Sequence, residues 1–520
     1  MSATLLARLA KLDVHATTAL KDIGRGIEKE GLRVDPHHFI AQTDHPSALG
    51  HPLTHASITT DYSEALLELI TPVTHSPEAL VSALQDIHVW VQRNLDDEVL
   101  WAGSMPCRLE GDASIRIAEY GTSNTGRLKH VYREGLSVRY GRIMQSIAGL
   151  HFNFSMPDAF WNSWQAQLEN RETLQTFKSN QYFALIRNFR RHSWMLMYLF
   201  GASPALDASF LEGKTHQLSP LHGGDTWYLP YATSLRMGDL GYHNNAQSSL
   251  NICFNRLDNF IRTLGQAIHK PWPAYEAIGT QRDGRYIQLN TNILQIENEY
   301  YSPIRPKRTT ERGERPLQAL QSRGVEYIEV RCLDLNPFLP LGVDVEQVRF
   351  LDVFLLYCLM SESALIGDAE CSLLDDNFAR VVARGREPGL HLHYEGQDVP
   401  MSALGLSMLD EMLPVAELMD SLNQTRDYRS ALEAQRQKFL DPQLTPSAKV
   451  LEAMQANSLS WCEFAAGLSR QHQSSLQQAS VDSGFTERFT AQAIQSIKEE
   501  QHLAASNSCD FSQFLKDFQV

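Results

Sequence analysis

The sequence has no apolar stretch long enough to cross a membrane and no signal peptide. Its longest apolar runs, residues 194–200 and 353–360, are far shorter than the roughly 20 residues that span a bilayer. The amino-terminal segment is interrupted by Arg8, Lys11 and Asp13, so it lacks the continuous apolar core of a secretory leader. We therefore expect a soluble cytoplasmic protein that has no membrane partner.

The cysteines also form no recognisable motif, and basic residues are fewer than acidic ones. The seven cysteines are scattered, odd in number and free of any CxxC pair, which predicts reduced thiols rather than a disulfide framework. Lys and Arg number 46 against 61 Asp and Glu, for a net charge of −15. Such a surface disfavours nucleic acid and anionic lipid as partners, although a local basic pocket can still bind a small anion.

Regular alternation of one strand with one helix is missing, which argues against a parallel sheet. Period-two patterns predict strands over 149–155, 286–295 and 325–333. Helical patterns cover residues 3–21, 77–97, 171–200 and 250–268. These elements favour an α+β fold with a mainly antiparallel sheet and flanking helices.

Strand signals disappear beyond about residue 402, where the chain is rich in Ala, Gln, Leu and Glu. Pro442 and Pro446 mark a break between helices in this part. The sequence therefore predicts two portions. Residues 1–400 form one domain of mixed strands and helices, and residues 401–520 form a helical portion packed on it.

Two acidic motifs occur near the amino terminus. Read as a strand, residues 24–34 place Glu28 and Glu30 on one face, where two carboxylates repel unless water or a cation separates them. Residues 59–70 are predicted to form a helix with Asp61, Glu64 and Glu68 in one stripe. A divalent-metal site explains both motifs. The alternatives are a solvated strand edge and a surface helix with an acidic first turn.

Two further strands carry polar side chains on one face. Alternation groups His151 with Asn153 on the strand 149–155, and Glu329 with Arg331 on the strand 325–333. A structural histidine and a cross-strand ion pair are the alternatives to a functional site. Each strand nevertheless projects chemically active groups from a single face of the expected sheet.

Basic residues cluster on a predicted proline-stiffened loop, residues 301–308, which contains Arg305, Lys307 and Arg308. In an acidic chain, this cluster indicates a polyphosphate pocket or, alternatively, a solvated loop. The isolated Arg236 is a plausible clamp for a carboxylate. Oxygen ligands with one histidine suit Mg²⁺ or Mn²⁺, and the basic groups suit ATP phosphates. Activation of a carboxylate by phosphoryl transfer needs both.

Nine ordered motifs resemble the proteobacterial class of the glutamate–cysteine ligase family. They occupy residues 23–34, 58–73, 101–109, 119–136, 149–155, 199–205, 228–242, 294–308 and 324–338. The resemblance implies a fold similar to that of glutamine synthetase, with an antiparallel sheet curved into a funnel-shaped active site. It also implies ATP-dependent formation of γ-glutamylcysteine from L-glutamate and L-cysteine through γ-glutamyl phosphate, the first step of glutathione synthesis.

The resemblance also implies roles for individual residues. The ligands of one metal are Glu28, His151 and Glu329, and those of the other are Glu30, Asp61 and Glu68. Arg236 would clamp the glutamate α-carboxylate, and Arg331 would act with Glu329 at the reacting centre. The cysteine pocket comprises Tyr62, Tyr132, Arg133, Gln145, Tyr242 and Tyr301. Nucleotide phosphate would meet Arg305, Lys307 and Arg308.

One position departs from the family pattern, since Tyr62 stands where phenylalanine is common. A related ligase with another amine acceptor is therefore one alternative, and a non-catalytic nucleotide or amino-acid sensor is another. Further implied properties are Mg²⁺ (or Mn²⁺) as cofactor, ATP as co-substrate, feedback inhibition by glutathione and a monomeric state.

Overall fold

This computed structural model describes residues 3–221, 224–241, 250, 252–311 and 313–519. Its main sheet is built from strands in which polar and apolar side chains alternate. The strands are β1 (Gly24–Val34), β2 (Ile58–Thr60), β3 (Leu66–Ile70), β4 (Val99–Leu100), β5 (Leu150–Ser155), β6 (Ala205–Asp207), β7 (Ser219–Leu221), β8 (Thr226–Tyr228), β9 (Gln281–Arg282), β10 (Arg285–Tyr286), β11 (Ile304–Lys307), β12 (Tyr327–Leu333), β13 (His391–Tyr394) and β14 (Gln397–Pro400).

The main sheet has the strand order β11-β12-β5-β1-β3-β2, and β4 also pairs with β1. Every neighbouring pair is antiparallel, and the sheet is open, with β11 and β2 at its edges. Strand β1 therefore lies inside the sheet, so the solvated-edge alternative for Glu28 and Glu30 is wrong. The α+β class, the antiparallel sheet and the helical carboxyl-terminal portion are confirmed.

Helices flank the sheet and occupy the carboxyl-terminal portion. They are α1 (Ala3–Ala10), α2 (Val14–Ala19), α3 (Pro77–Arg93), α4 (Asn124–Tyr140), α5 (Asp158–Gln167), α6 (Leu174–Phe200), α7 (Leu257–His269), α8 (Pro273–Ile278), α9 (Pro316–Arg323), α10 (Val345–Met360), α11 (Asp368–Arg384), α12 (Met401–Asn423), α13 (Asp427–Leu440), α14 (Pro446–Ala456), α15 (Trp461–Gln477), α16 (Phe485–Ala505) and α17 (Phe511–Gln519). None of those in the described ranges is long and apolar enough to span a membrane.

The predicted helix over residues 59–70 is wrong, because this segment is the β2–β3 hairpin. The backbone N–H of Asp61 donates to the Leu66 carbonyl at 2.9 Å and closes the turn. β-Branched residues in β2 favour a strand, and the leucines of β3 are buried on both faces of the sheet. A leucine-rich strand buried on both faces has no simple alternation, which is why its pattern resembles a helix.

Smaller corrections concern element boundaries. The predicted helix 3–21 is divided into α1 and α2, because Asp13 accepts the Ala16 N–H and begins a new helix. The predicted strand 286–295 retains only the pair Arg285–Tyr286 in β10. The predicted helix 250–268 begins at Leu257. The predicted basic loop contains a strand, β11.

Buried groups join the sheet to the helices around it. Arg25 of β1 forms an ion pair with Asp352 of α10 at 2.8 Å, and both side chains are excluded from solvent. In the carboxyl-terminal portion, the Trp461 indole N–H donates to the Pro106 carbonyl at 2.9 Å. This portion therefore packs on the rest of the chain, while the domain boundary at residue 400 stays a prediction.

Candidate active site

One cavity of about 390 Å³ lies over the polar face of the main sheet. Fourteen of the residues predicted to form the site line it. They are Glu28, Glu30, Asp61, Tyr62, Glu68, Tyr132, Arg133, Gln145, His151, Tyr301, Arg305, Lys307, Glu329 and Arg331. These residues come from six separate segments of the chain, so the fold brings together most of what the sequence had singled out.

Strand register brings the acidic residues together. Glu28 of β1 is opposite His151 of β5, and Glu30 of β1 is opposite Glu68 of β3. Asp61 reaches the cavity from the turn that joins β2 to β3. Because side chains on paired strands alternate in step, opposed residues project to the same face. The predicted helical stripe is replaced by a cross-strand cluster.

His151 lies in the middle of this cluster and is buried. Its Nδ1 is 3.4 Å from Glu28 Oε2 and 3.8 Å from Glu329 Oε1, while its Nε2 is 3.6 Å from Glu30 Oε1. Asn153 donates to Glu28 Oε1 at 2.9 Å. The ring thus contacts acids from three positions, which a structural histidine with one hydrogen bond would not do.

Burial is the main cause of the raised pKa values of Glu68 and Glu30. Burial, followed by the negative charges of Glu28 and Asp61, raises the pKa of Glu68 well above its usual range. The pKa of Glu30 is also raised by burial, although His151 opposes the change. A nearby positive charge would offset this mutual repulsion of the carboxylates.

The donor set fits a hard divalent cation. One ligand atom each from Glu28, Glu68 and His151 lie within 4.8 Å of one another. The Oε2 atom of Glu329 is buried and accepts no hydrogen bond within the described ranges. Mg²⁺ and Mn²⁺ prefer carboxylate oxygens and tolerate an imidazole. This set therefore suits either ion, although it combines Glu68 with two residues predicted to hold the other ion.

Basic side chains lie beside Glu329 in the same cavity. Arg331 Nη1 is 3.1 Å and Lys307 Nζ is 3.4 Å from Glu329 Oε1. Burial opposes ionisation of Glu329, yet Lys307 and Arg331 outweigh it and hold the pKa of this carboxyl well below its usual range. Burial, followed by repulsion from Arg331, lowers the pKa of Arg305 to about 10.

Two predicted site residues within the described ranges, Arg236 and Arg308, do not line this cavity. Arg236 is buried behind the cavity wall, where it donates to the Arg331 carbonyl at 3.0 Å and lies 3.7 Å from Asp334. Arg308 is directed away, towards Glu326 at 3.6 Å. Tyr242 lies outside the described residues. The roles predicted for these three residues, like those of the other site residues, stay predictions.

Glu64, which the sequence pattern grouped with Asp61 and Glu68, has a different environment. Its carboxylate accepts the backbone N–H groups of His45 and Glu119, each at 2.8 Å. Glu64 thus holds neighbouring loops together, and the family resemblance did not include it among the metal ligands.

Helix α4 contributes cavity residues that the sequence analysis missed. Lys129, Leu136 and Tyr140 line the cavity beside the predicted Tyr132 and Arg133. Lys129 and Leu136 are seven residues apart, and Leu136 and Tyr140 are four apart, which places all three on one helix face. The sequence therefore contained the pattern that identifies them as neighbours of the predicted residues. Burial, together with repulsion from Arg133, lowers the pKa of Lys129 to about 8.

Comparison with known proteins identifies the family. The family model for glutamate-cysteine ligase matches residues 9–381. A glutamate–cysteine ligase of Hahella chejuensis is 54% identical over 100% of this chain and 99% of its own. The chain belongs to the glutamate–cysteine ligase family. A second family member, from Azotobacter vinelandii, is 49% identical with the same coverage.

Solved structures agree with this membership. The crystal structure of the glutamate–cysteine ligase of Francisella tularensis in complex with AMP has a TM-score of 0.90 and 36% identity, and covers 96% of this chain and 97% of its own. A bifunctional glutathione synthetase from Pasteurella multocida has a TM-score of 0.71 and 24% identity, with 91% of this chain and 55% of that one covered. The second likeness shows a common fold.

Proposed function

We propose that this member of the glutamate–cysteine ligase family joins the γ-carboxylate of L-glutamate to the amine of L-cysteine. ATP is consumed, and the products are γ-glutamylcysteine, ADP and phosphate. The proposal rests on one observation above all. A cluster of five carboxylates and His151 shares a single cavity with Arg305, Lys307 and Arg331.

The chemistry follows from this juxtaposition. When bound, Mg²⁺ or Mn²⁺ supplies positive charge that neutralises the phosphates and favours phosphoryl transfer. We assign one ion to Glu28, His151 and Glu329, and a second ion to Glu30, Asp61 and Glu68. Arg331 and Lys307 contribute positive charge beside Glu329, where fixed cations stabilise a transferring phosphoryl group and a developing oxyanion.

The reaction then proceeds in two transfers. The γ-carboxylate of glutamate attacks the γ-phosphorus of ATP, and ADP leaves as γ-glutamyl phosphate forms. The cysteine amine attacks the acyl carbon of this mixed anhydride, loses a proton and displaces phosphate. Holding both substrates in one cavity makes the second attack resemble an intramolecular step. No cysteine of the chain needs to act as a nucleophile.

A second cavity suits the nucleoside of ATP. It has a volume of about 330 Å³ and is lined by apolar side chains that include Phe260, Leu264 and Leu317. Arg305 and Lys307 line both cavities, so a triphosphate extending from one to the other would pass these two cations. The AMP complex of the Francisella enzyme supports nucleotide binding by this fold.

The amino-acid substrates would occupy the remainder of the main cavity. We assign the amine acceptor to the wall formed by Tyr62, Tyr132, Arg133, Gln145 and Tyr301, which the family resemblance implies, together with Tyr242. Tyr62 is buried, with 1% of its surface exposed, and its hydroxyl is the group by which this wall differs from the common phenylalanine. Another small amine is therefore the alternative acceptor.

The decisive experiment measures ADP release by the purified protein with Mg²⁺, ATP and L-glutamate, with and without L-cysteine. Mass spectrometry of the product accompanies it. We expect cysteine-dependent ADP release and a mass equal to that of γ-glutamylcysteine. Preferred turnover with another amine would identify a related ligase, and ATP binding without turnover on any amine would identify a sensor.

Three further properties are proposed from the family resemblance. They are a monomeric state, a cytoplasmic location and feedback inhibition by glutathione. Sedimentation of the purified protein and inhibition curves with glutathione test the first and third. Cell fractionation tests the second.

A further inference from the structure

A small apolar cluster lies beside the cavity and apart from the main core. Its buried members are Val131, Leu289, Phe511 and Leu515, which are 2–8% exposed. They come from helix α4, from the segment 286–296 and from helix α17. Three parts of the chain that are remote in sequence are thus held together by one separate cluster.

Helix α17 and the residues before it are fixed to α4. The guanidinium of Arg127 lies over the Phe511 ring, 4.4 Å from its centroid. The backbone N–H of Asn124 donates to Asn507 Oδ1 at 2.9 Å, and Asn124 Nδ2 donates to the Cys509 carbonyl at 3.0 Å. We refer to residues 507–518 as the carboxyl-terminal clasp.

The clasp also holds the segment 286–296. The rings of Tyr286 and Phe511 meet edge to face, with centroids 5.4 Å apart. The Tyr286 and Ser512 hydroxyls are 3.1 Å apart. Further along the helix, Arg315 lies over the Phe518 ring at 5.8 Å. The clasp therefore contacts α4, the segment 286–296 and Arg315 at the beginning of α9.

The same two segments form part of the cavity wall. Leu128 and Tyr132 of α4, with Leu289 and Ile296 of the segment 286–296, line the cavity and also belong to the cluster or pack against it. One side of this wall faces the cavity, and the other side is supported by Phe511 and Leu515. A change of packing behind the wall would shift side chains in front of it.

We propose that the carboxyl-terminal clasp positions the wall that binds the amine acceptor, a small α-amino acid. Phe511 and Leu515 act as positioning residues through Tyr132 and Leu289, and neither contacts a substrate. This inference rests on the proposed function, because the acceptor is assigned to the wall that contains Tyr132. The residues assigned as metal ligands on β1, β3, β5 and β12 lie outside the cluster, so a change in the clasp acts first on the acceptor wall.

The test compares Phe511→Ala and Leu515→Ala with Phe489→Ala. Phe489 is the matched control, since it is an aromatic residue of α16, 4% exposed and stacked on Trp90 at 5.5 Å, and it does not line the cavity. For each purified full-length variant, KM is measured separately for L-cysteine, L-glutamate and ATP. Hydrogen exchange is measured over residues 124–140 and 286–296.

We expect the clasp variants to raise KM for L-cysteine by about ten-fold or more, because small displacements of a binding wall have large effects. KM for ATP should change by less than about two-fold. Exchange should rise in both wall segments and stay unchanged in the Phe489 control. Equal increases for all three substrates, or unchanged KM and exchange in both clasp variants, would overturn the inference.

The exchange measurement separates this inference from the proposed function. If the wild-type protein shows no cysteine-dependent ADP release, the proposed function fails, and faster exchange confined to the two wall segments would still support the clasp. If the wild type is active and the clasp variants match it in KM and exchange, the inference about the clasp is contradicted and the proposed function stands. A variant that does not fold is replaced by the other, since either truncation removes part of the same support.

Discussion

Glu329 Oε1 lies 3.1 Å from Arg331 Nη1, and the two side chains project from the same face of β12, two residues apart. The same carboxylate oxygen is 3.8 Å from His151. Glu329 therefore contacts both the acidic cluster and the basic side chains of the cavity. Its pKa is held well below the usual range because Lys307 and Arg331 outweigh the effect of burial.

This relationship predicts the effect of Glu329→Gln. The change removes a charged oxygen ligand while preserving the shape of the side chain, so we expect turnover to fall by about 100-fold or more. Glu326→Gln is the matched control, because Glu326 immediately precedes the same strand and its side chain is 42% exposed beside Arg308. Steady-state ADP release measures both variants. Near-normal turnover by Glu329→Gln would contradict the ligand assignment.

A second prediction concerns Arg236, which is buried behind the wall. A Cβ atom on Gly149 would lie 2.0 Å from Arg236 Nη2, so Gly149→Ala must displace the guanidinium. If Arg236 binds the glutamate α-carboxylate, KM for L-glutamate should rise by about ten-fold or more through loss of a charge-assisted contact.

Gly265→Ala is the control for this change, since a Cβ there meets no atom within 4 Å and alanine suits the interior of a helix. Its substrate constants should equal those of the wild type. An unchanged KM for L-glutamate in folded Gly149→Ala would argue against the carboxylate clamp.

The buried ion pair between Arg25 and Asp352 gives a stability prediction. Asp352→Asn would leave the Arg25 guanidinium without its counter-charge in a solvent-excluded position, which costs about 3–5 kcal/mol. Asp376→Asn removes an exposed partner of Arg380 at 2.9 Å and should cost less than about 1 kcal/mol. Denaturant unfolding at pH 7 measures both. Equal losses would show that burial of the Arg25 pair has no special effect.

The buried His192 predicts a pH dependence of stability. Burial, followed by repulsion from Arg191, lowers its pKa from 6.5 to about 3 in the folded protein. Between pH 6.5 and pH 3, the His192 ring is therefore protonated in the unfolded chain and neutral in the folded protein. The contribution of the neutral ring to stability is complete above pH 6.5 and is lost as pH falls towards 3.

The difference in free energy of unfolding between the wild type and His192→Gln should therefore shrink by about 2 kcal/mol between pH 7 and pH 5, since one pKa unit corresponds to 1.36 kcal/mol. Unfolding in denaturant at both pH values gives the two differences in free energy. A difference that stays constant over this range would contradict the pKa shift.

Local sequence patterns were sufficient for strands such as β5 and β12 and for the long helix α6. They failed at the β2–β3 hairpin, because leucines buried on both faces of a strand lack a clear period. They also failed over residues 286–295, where an alternating pattern forms an irregular wall segment. In both places, packing against other parts of the chain overrides the local preference.

The sequence by itself determined the chemical types in the site, namely the acids, His151 and the cations, and its motifs determined the family. Tertiary structure alone decided which of them share a cavity. Arg236 does not line the main cavity and Glu64 binds backbone N–H groups of neighbouring loops, although both occur in motifs that carry site residues. The reason is physical, since alternation gives a side chain's face, whereas register, turn geometry and distant packing fix its position.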